Sequence, residues 1–285
     1  SRADAEFVAR AGRAMGLPVH VVSLGMEAGA PNVEEEARAR RYGAVTMCMR
    51  ANGYVHAATA HTMDDQAETV LYRVVRGTGV RGLAGMRYRR PDGVIRPLLG
   101  VTRTEIERYA RAEGVESRDD RTNKDTSRAR NLIRLEVMPL LLRINPAAVK
   151  AMASLAAIAG EEGAVLEELA AEAAAGASVA RGSLLRAYAL DRLQAVCAPV
   201  LKRMLIDTVA QVDRGMRGMA MKQVNMLVGV VEGKAAAHEI GRRVRVCSTG
   251  GLLCVHRIAR PPYYALSLSD AGPCEVFVPE TGWTV

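Results

Sequence analysis

The stretch TAHTMDDQAETVLYRVVRGTGVRGLAGM runs from Thr59 to Met86 and combines an acidic head with a basic, glycine-rich tail. Its head holds a histidine and three carboxylates within eight residues, namely His61, Asp64, Asp65 and Glu68. Apolar residues then recur at helical spacing, which predicts a helix from about Asp64 to Arg76, ended by Gly77. The charged residues after Glu68 are all arginines. The sequence thus predicts an acidic helix start beside a positively charged loop.

Apolar strands and helices alternate on either side of this stretch. The β-branched run PVHVVSL (18–24) predicts a buried strand, and GYVHAATA (53–60) predicts a second one. VIRPLLG (94–100) is predicted to be extended. Helices are predicted over 3–15, 33–51, 64–76 and 102–113, and from about 131 onwards, the fourth with a capping box formed by Thr102 and Glu105. This alternation is typical of the α/β class, with a parallel sheet and crossover helices.

The composition changes after Asn145. Residues 146–175 and 184–235 are rich in Ala, Leu and Met at helical spacing, which predicts a helical second domain. Residues 241–257 predict a β-hairpin about a Gly-Gly turn. The predicted organisation is an α/β domain over 1–143, a helical domain ending in a hairpin over 144–257, and a linker toward a C-terminal module over 258–285.

The 285 residues are 49% hydrophobic, enough for a sizeable core. No apolar run approaches the roughly 20 residues of a membrane helix, and no signal peptide is visible, so we expect a cytoplasmic protein. The five cysteines are dispersed without a CxxC pair. That pattern argues against a disulfide framework and against structural zinc.

The net charge is +8 with a pI near 9.5, and the excess is concentrated. Residues 69–103 hold eight arginines and one acid, Asp92, which suits a polyanion such as nucleic acid. Because aromatic residues make up only 4% of the chain, phosphate contacts are favoured over base stacking. Arginine outnumbers lysine 34 to 5 along the whole chain, so part of this signal reflects general composition.

The acidic helix start is a candidate site. His61 follows the predicted strand 53–60, and ligands of open α/β sheets bind outside the carboxyl ends of strands. Asp65 and Glu68 are three residues apart, share a helix face and lie where the helix dipole favours ionised carboxylates. Two such groups can hold Mg²⁺, or can hold and deprotonate an ammonium group. Simple capping remains an alternative, since Thr62 and Asp65 also fit a capping box.

Two arginine pairs accompany this site in the sequence. ARARRY places Arg38 and Arg41 at helical spacing, and DRTNKDTSRARNLIR ends with Arg130 and Arg134, four residues apart. A guanidinium fork suits a carboxylate or a phosphate. From the residues alone, a solvated face is the favoured interpretation for Arg38 and Arg41, and surface charge remains an equal alternative for Arg130 and Arg134.

Four blocks in one order carry a family resemblance: NVEEEARARRYGAV, AHTMDDQAETVLYRVVRGTGVRGLAGM, VIRPLLGVTRTEIERYARAEGV and RTNKDTSRARNLIRLEVMPLL. Over about residues 3–143 the chain closely resembles the tRNA(Ile)-lysidine synthetase family. The resemblance implies an N-type ATP pyrophosphatase with a Rossmann-like sheet followed by helical domains. It further implies that ATP adenylates the wobble cytidine of a tRNA(Ile) with a CAU anticodon, and that lysine then displaces AMP to give lysidine.

The resemblance also implies roles for individual residues. Asp65 and Glu68 match the acidic pair, which receives the lysine amine or assists Mg²⁺, and Arg41 matches a catalytic arginine. The residues implied to bind lysine or ATP are His61, Asp64, Arg130 and Arg134. The arginines expected to contact tRNA are Arg73, Arg76, Arg81, Arg87, Arg89 and Arg90. The implied ligands are ATP, Mg²⁺, L-lysine and the tRNA, and a homodimer is compatible with the family.

The chain departs from the family pattern at several points. The phosphate loop SGGxDS is not in the sequence and is expected upstream of Ser1, and a further module is expected after Val285. Leu135 stands where the family has histidine, and Arg121 where it has proline. Two rival interpretations remain: a tRNA-thiolating relative of the same fold, disfavoured by the cysteine pattern, and a basic RNA-binding relative without catalytic activity.

Overall fold

The structure is a computed structural model. It describes residues 2–25, 33–118, 125–182, 184–213, 215–216, 218–241, 243–258, 277–278 and 283–284. The chain divides into two compact units, Ser1–Glu161 and Glu162–Val285. The domain ranges expected from the sequence stay predictions.

The first unit consists of helices and one short parallel sheet. Its helices are α1 (Arg2–Ala14), α2 (Val33–Ala51), α3 (Met63–Val75), α4 (Val80–Leu83), α5 (Arg103–Ala112), α6 (Ala129–Leu132), α7 (Met138–Ile144) and the start of α8 (Ala148–Ala177). A π-helical turn, Ile133–Val137, joins α6 to α7. Strands β1 (Ala57–Ala58) and β2 (Val94–Ile95) run parallel, with Ala57 opposite Val94.

The α/β class is confirmed in its coarse form, and the predicted helices are present, but the sheet is smaller than expected. The predicted strand 18–24 is wrong: these residues form no strand, and Val21 and Val22 are 68% and 58% exposed. The physical reason is pairing. No described strand lies beside this run, and a β-branched segment forms a ladder only against a partner.

A small apolar cluster holds α3 in place. Ala67 of α3 is fully buried against Ile133 of the π-helical turn, Met138 of α7 and Val149 of α8. Burial of an Ile, Met or Val side chain of this kind contributes about 1.5–3 kcal/mol relative to exposure. This cluster places the helix start with the acidic residues next to the segment that carries Arg130 and Arg134.

The glycine-rich loop after α3 is fastened to that helix by two side chains. Gln66 exchanges two hydrogen bonds with the backbone of Met86, its Nε2 donating at 3.2 Å and its Oε1 accepting at 2.7 Å. Arg73 donates from Nη1 to the carbonyls of Gly82 and Gly85, both at 2.8 Å. A Cβ on Gly85 would lie 2.7 Å from the Gln66 side chain, and its φ is +59°. Glycine is therefore required there by both space and conformation.

The second unit contains an antiparallel sheet covered by helices. Its further elements are β3 (Ser178–Arg181), β4 (Leu185–Ala189), α9 (Leu190–Gln194), α10 (Ala198–Val212), α11 (Met221–Val231), β5 (Ala237–Ile240), β6 (Val244–Thr249), β7 (Leu252–Arg257), β8 (Phe277–Val278) and β9 (Trp283–Thr284). The five-stranded sheet has the order β3-β4-β7-β6-β5, and β8 pairs with β9. Leu205 of α10, Leu227 of α11 and Val255 of β7 are fully buried in one cluster.

The hairpin predicted at 241–257 is confirmed as β6 and β7. Gly250 and Gly251 form its two-residue loop with φ of +54° and +76°, as a type I′ turn requires. The all-helical prediction for 184–235 is wrong at β4, whose Tyr188 pairs with Leu253 and is buried. Pairing with a strand far along the chain overrides a helix-compatible local sequence there. The predicted linker 258–285 lies mostly outside the described residues.

Membrane-spanning helices and disulfides were both expected to be absent. Among the described residues, no single helix has the length and apolar character to cross a membrane. Two consecutive helical segments, Ala129–Ile144 and Ala148–Ala177, are bent by 96° relative to each other. Taken together they pass that test, by length and composition alone. The described cysteines are all free thiols, namely Cys48, Cys197, Cys247 and Cys254.

Gly85→Ala should destabilise the first unit. The new methyl group meets the Gln66 side chain at a backbone conformation that alanine disfavours, which costs on the order of 1–3 kcal/mol. The free energy of unfolding in urea measures it. Gly43→Ala is the matched control, because Gly43 lies within α2 with no atom near its Cβ and alanine is favoured there by up to about 1 kcal/mol. Equal effects of the two changes would contradict the close packing of Gly85 against Gln66.

Candidate functional site

The parallel pair β1 and β2 brings two chain segments to one edge of the sheet. Thr59, just after β1, donates from its backbone N to the carbonyl of Ile95 at 2.9 Å. His61 follows, with Nδ1 2.9 Å from the Thr59 hydroxyl, and Met63 opens α3 by donating to Val101 O at 2.9 Å. The histidine and the start of α3 therefore lie at the carboxyl edge of the strands, where ligands of open α/β sheets bind.

Two carboxylates and two guanidinium groups form one cluster beside this edge, which we call the carboxylate–arginine cluster: Asp65, Glu68, Arg130 and Arg134. Arg130 donates from Nε to Glu68 at 3.0 Å and from Nη2 to Asp65 at 3.0 Å. Arg134 donates from Nε to Glu68 at 2.6 Å and from Nη2 to both carboxylates at 3.0 Å. The cluster thus joins two sequence blocks more than sixty residues apart.

The four side chains of this cluster differ in their solvent exposure. The side chain of Glu68 is 3% exposed and that of Asp65 is 13% exposed. Arg134 is 22% exposed, whereas Arg130, at 41%, lies at the outer rim. Glu68 is therefore the group that most needs its partners, because a buried carboxylate without compensation is costly.

A π-helical turn carries the inner arginine. The backbone N of Met138 donates to Ile133 O, five residues back, so the helix is widened over Ile133–Val137. Arg134 lies within this turn, while Arg130 lies in the preceding α6. Single π turns inside helices are rare and are found frequently at functional sites.

The charges of the cluster are set by its own contacts. Burial raises the pKa of Asp65, but hydrogen bonds from Thr62 and the positive charge of Arg130 outweigh it, so that this pKa lies below its usual value. Burial lowers the pKa of Arg134, and the hydrogen bond and charge of Glu68 reverse that and leave it raised. Asp65 is therefore ionised at neutral pH, as the sequence predicts.

The capping box is also confirmed. Thr62 donates from its backbone N to Asp65 Oδ2 at 2.8 Å, and its hydroxyl accepts from Asp65 N at 3.3 Å. One oxygen of Asp65 thus caps α3 while the other binds the two arginines. Asp65 therefore both caps α3 and belongs to the cluster, because its two carboxylate oxygens have different hydrogen-bond partners.

The acid pair does not suit a metal ion in this arrangement. All four carboxylate oxygens of Asp65 and Glu68 already accept hydrogen bonds from Thr62 or from guanidinium groups. Among the described residues no three His, Cys, Asp or Glu side chains lie together as a metal site. A divalent cation at these oxygens would also face the positive charges of Arg130 and Arg134, so the donor set does not fit Mg²⁺.

Asp64 and Arg41 lie outside the cluster. Asp64 accepts from the backbone N of Arg103 at 2.7 Å and so holds the first residue of α5. Arg41 is exposed on α2. It is Arg38, one turn earlier, whose positive charge reaches His61 and Arg73. The ligand-binding and catalytic roles predicted for Asp64 and Arg41 stay predictions.

The arginines expected to contact RNA have different surroundings. Arg73 is half-buried and donates to carbonyls of the glycine-rich loop, as described above. Arg76 lies over the ring of Tyr72, 5.3 Å from its centroid. Arg90 forms two hydrogen bonds to Asp92, whereas Arg81, Arg87 and Arg89 are exposed. All six lie in the first unit, and their contact with RNA stays a prediction.

Arg96 is a site residue that the sequence did not reveal. It follows β2 directly, is 2% exposed and donates from Nη1 to the carbonyl of Arg87, while its Nε has no hydrogen-bond partner among the described residues. Burial, then the charge of Arg96, lowers the pKa of His61, against an opposing effect of Asp65. His61 is therefore neutral at pH 7. The position of Arg96 in the sequence could have indicated this, since Arg96 follows β2 much as Thr59 and His61 follow β1.

Comparison with known proteins defines the class. Residues 1–141 match the family model of the PP-loop domain. Three relatives carry the name tRNA(Ile)-lysidine synthase: that of Symbiobacterium thermophilum is 45% identical over 61% of this chain and 38% of its own length, that of Solibacter usitatus 35% identical over 80% and 51%, and that of Dehalococcoides mccartyi 34% identical over 85% and 52%.

The first unit is therefore a PP-loop domain. Over most of its length the chain is homologous to proteins named tRNA(Ile)-lysidine synthase. It spans about half the length, or less, of these curated relatives.

Arg134→Met should destabilise the protein strongly. The change keeps an apolar stem but leaves Glu68, which is almost fully buried, with one guanidinium instead of two. Breaking a buried pair by removing one partner costs about 3–5 kcal/mol, and because Arg130 remains we expect about 2–4. Urea unfolding measures the difference.

The control for this variant is Arg111→Met in α5. Arg111 lies 3.9 Å from Glu107 in an exposed pair, where the expected change is within about 0.5 kcal/mol. If Arg134→Met were as mild as this control, the cluster would not be a stabilising element.

Proposed function

We propose that this protein is an ATP-dependent ligase that joins L-lysine to C2 of the wobble cytidine in a tRNA(Ile) with a CAU anticodon. The observation that carries the proposal is the carboxylate–arginine cluster at the carboxyl edge of the strands. In a PP-loop chain homologous to tRNA(Ile)-lysidine synthases, two distant blocks supply one set of ionised groups suited to an amino acid substrate. The site has both signs of charge, as has lysine.

The proposed reaction has two balanced steps. The O2 atom of cytidine attacks the α-phosphorus of ATP, so a new P–O bond forms and pyrophosphate leaves. The ε-amine of lysine then attacks C2, a C–N bond forms, the C2–O bond breaks and AMP leaves. The free ammonium group has a pKa near 10.4, so a base must take its proton before attack. Asp65, ionised and more exposed than Glu68, is the proposed acceptor.

Lysine must displace a guanidinium group to reach Asp65. The cluster as described is electrically balanced, with two negative and two positive groups, and Arg130 is its most exposed member. We assign Arg130 the exchange: it leaves Asp65 to the incoming ammonium and pairs with the α-carboxylate of the same lysine. Arg134 stays on Glu68 and keeps that buried charge compensated. Arginine suits the task because its planar fork binds carboxylates in two places.

ATP and tRNA are the other proposed substrates, and both are polyanions. The exposed Arg41 of α2 and the exposed arginines of the stretch 73–103 supply the positive charge that they require. Because the oxygens of Asp65 and Glu68 are engaged, magnesium is assigned to the phosphates of ATP. A homodimer is compatible with this proposal but is not needed by it.

A second candidate is an RNA-binding relative without catalytic activity. One observation favours it: every oxygen of the two carboxylates already has a protein donor, as in a purely structural ion-pair network. A thiolating relative is less well supported, because the described cysteines lie on α2, before α10 and on β6 and β7, not on α3. Activity distinguishes the first two.

Asp65→Asn should abolish lysidine formation. The amide keeps the shape but cannot take the ammonium proton, so we expect lysine- and tRNA-dependent AMP release to fall at least about 100-fold. The dissociation constant for tRNA should change little. Glu107→Gln on α5 is the matched control, because its carboxylate is 56% exposed and outside the cluster. A full rate in Asp65→Asn would contradict the role of Asp65, and tRNA binding without AMP release by the unmodified protein would favour the second candidate.

Arg130→Met should raise the KM for lysine by about tenfold or more, since a charge-assisted pair contributes roughly 1.5–3 kcal/mol. Steady-state AMP release at varied lysine measures it. Arg143→Met on α7 is the control, an exposed arginine nearby in sequence and outside the cluster. A lower KM in Arg130→Met would mean that Arg130 only competes with lysine, and the assigned exchange would be wrong.

A further inference from the structure

A second basic site lies at the opposite end of the two parallel strands. A cavity of about 560 Å³ is lined by the end of α2, by the residues just before β1 and by the turn just before β2. Tyr54, Val55 and His56 precede β1, and Gly93 precedes β2. The cavity is therefore at the amino edge of the sheet, whereas His61 and the cluster lie beyond the carboxyl edge. We call it the amino-edge cavity.

One wall of this cavity is the tight turn between Arg90 and Val94, which is closed by backbone hydrogen bonds. Arg90 donates from its backbone N to Val94 O at 2.8 Å, and Gly93 donates to Arg90 O at 3.2 Å. Gly93 has φ +84°, and a Cβ there would lie 3.0 Å from both Met49 and the carbonyl of Val55. The turn thus approaches α2 and the segment before β1 as closely as a backbone can. Arg89 and Arg90 therefore extend from a closely packed turn.

The arginines around the cavity differ in whether their charge is paired. Arg90 is neutralised, because its Nε and Nη2 bind Asp92 at 2.9 and 2.6 Å and its guanidinium lies 4.5 Å from the ring centroid of Tyr42. Arg89 and, across the cavity, Arg50 make no ion pair with any described residue. Asp92 is committed to Arg90. The amino-edge cavity therefore carries two positive charges that no described carboxylate neutralises.

The lining suits a nucleic-acid backbone better than a small anion. Arg50, Arg89 and His56 are exposed, and Tyr54 is 49% exposed. A small-molecule site would bury its polar groups and converge them on one point, whereas these come from three separate segments and face solvent. Exposed guanidinium groups beside an aromatic ring are the pattern of phosphate contact with an adjacent ring for stacking.

A row of arginines along α2 links this cavity with the carboxyl edge. Arg38 and Arg90 lie over Tyr42, 5.3 and 4.5 Å from its centroid, and the charge of Arg38 reaches His61. Arg50 lies three turns further along α2. The row follows one helix from the proposed reaction site to the amino-edge cavity.

We propose that the amino-edge cavity binds backbone phosphates of the RNA substrate at nucleotides away from the reacting base. This inference rests on the proposed function for the identity of the RNA. It adds Arg50, His56 and Tyr54 to the contacts expected from the sequence, and it gives Arg90 a supporting role in which Asp92 and Tyr42 hold the turn. Phosphate contacts away from the reacting base would orient the RNA and would not contribute to base recognition.

The test is the double charge reversal Arg50→Glu with Arg89→Glu in the full chain. The dissociation constant for fluorescently labelled tRNA, measured by anisotropy at several KCl concentrations, should rise at least about tenfold. The slope of its logarithm against log[KCl] should become shallower by roughly one to two, since two phosphate contacts are lost. Arg50→Lys with Arg89→Lys should bind nearly as the unmodified protein, because a phosphate contact needs charge.

The matched control reverses two exposed arginines elsewhere in the first unit, Arg10→Glu with Arg108→Glu, with the same change in net charge. Equal weakening by this control would overturn the proposal, as would an unchanged dissociation constant and salt slope in the test variant. If urea unfolding shows the glutamate variant to be unstable, Arg50→Gln with Arg89→Gln carries the same test. Tight, salt-dependent tRNA binding without AMP release by the unmodified protein would refute the proposed function and leave this site standing.

Discussion

The carboxylate–arginine cluster is the interaction on which the first unit depends. Glu68 is almost completely removed from water, and a charge in that position is tolerated only when it is paired and hydrogen-bonded. Arg130 and Arg134 supply the pairing, and they do so from a segment that is distant in sequence. The small apolar cluster around Ala67 brings the two segments together, and the ion pairs then fix their register. Packing and charge each require the other here.

The same groups that stabilise the unit are the ones proposed to do its chemistry. A structural network and a substrate site are usually separate, because a stable ion pair resists exchange. The gradient of exposure resolves this conflict. Glu68 and Arg134 form the inner, permanent pair, and Asp65 and Arg130 form the outer pair that a charged substrate can enter. In the proposed exchange the capping oxygen of Asp65 stays with Thr62, so the helix start is held while the other oxygen changes partner.

The two edges of the short parallel sheet have different tasks in this picture. Beyond the carboxyl edge lie His61, kept neutral by burial and by the buried Arg96, and the cluster. At the amino edge lies a turn whose charges face solvent. A large RNA needs both kinds of surface, one that reads and reacts with a single base and one that holds phosphates. α2 runs past both and supplies arginines to each.

The sequence by itself determined the features that depend on neighbouring residues. The capping boxes at Thr62 and Thr102, the Gly-Gly hairpin turn and the shared face of Asp65 and Glu68 follow from local hydrogen bonding and helical spacing. Its ordered blocks also predicted the homology to tRNA(Ile)-lysidine synthases. These inferences needed no knowledge of which distant segments meet.

Tertiary structure alone decided which distant groups become partners. It paired the acids with Arg130 and Arg134, committed Arg73 to the loop carbonyls, buried Arg96 beside His61 and made β4 a strand. Among the described residues, it also gave 18–24 no strand partner of the kind that their β-branched pattern predicts. The physical reason is common to all of them. A charge or a strand edge is satisfied by whatever the fold brings within a few ångströms, and sequence spacing does not encode that proximity.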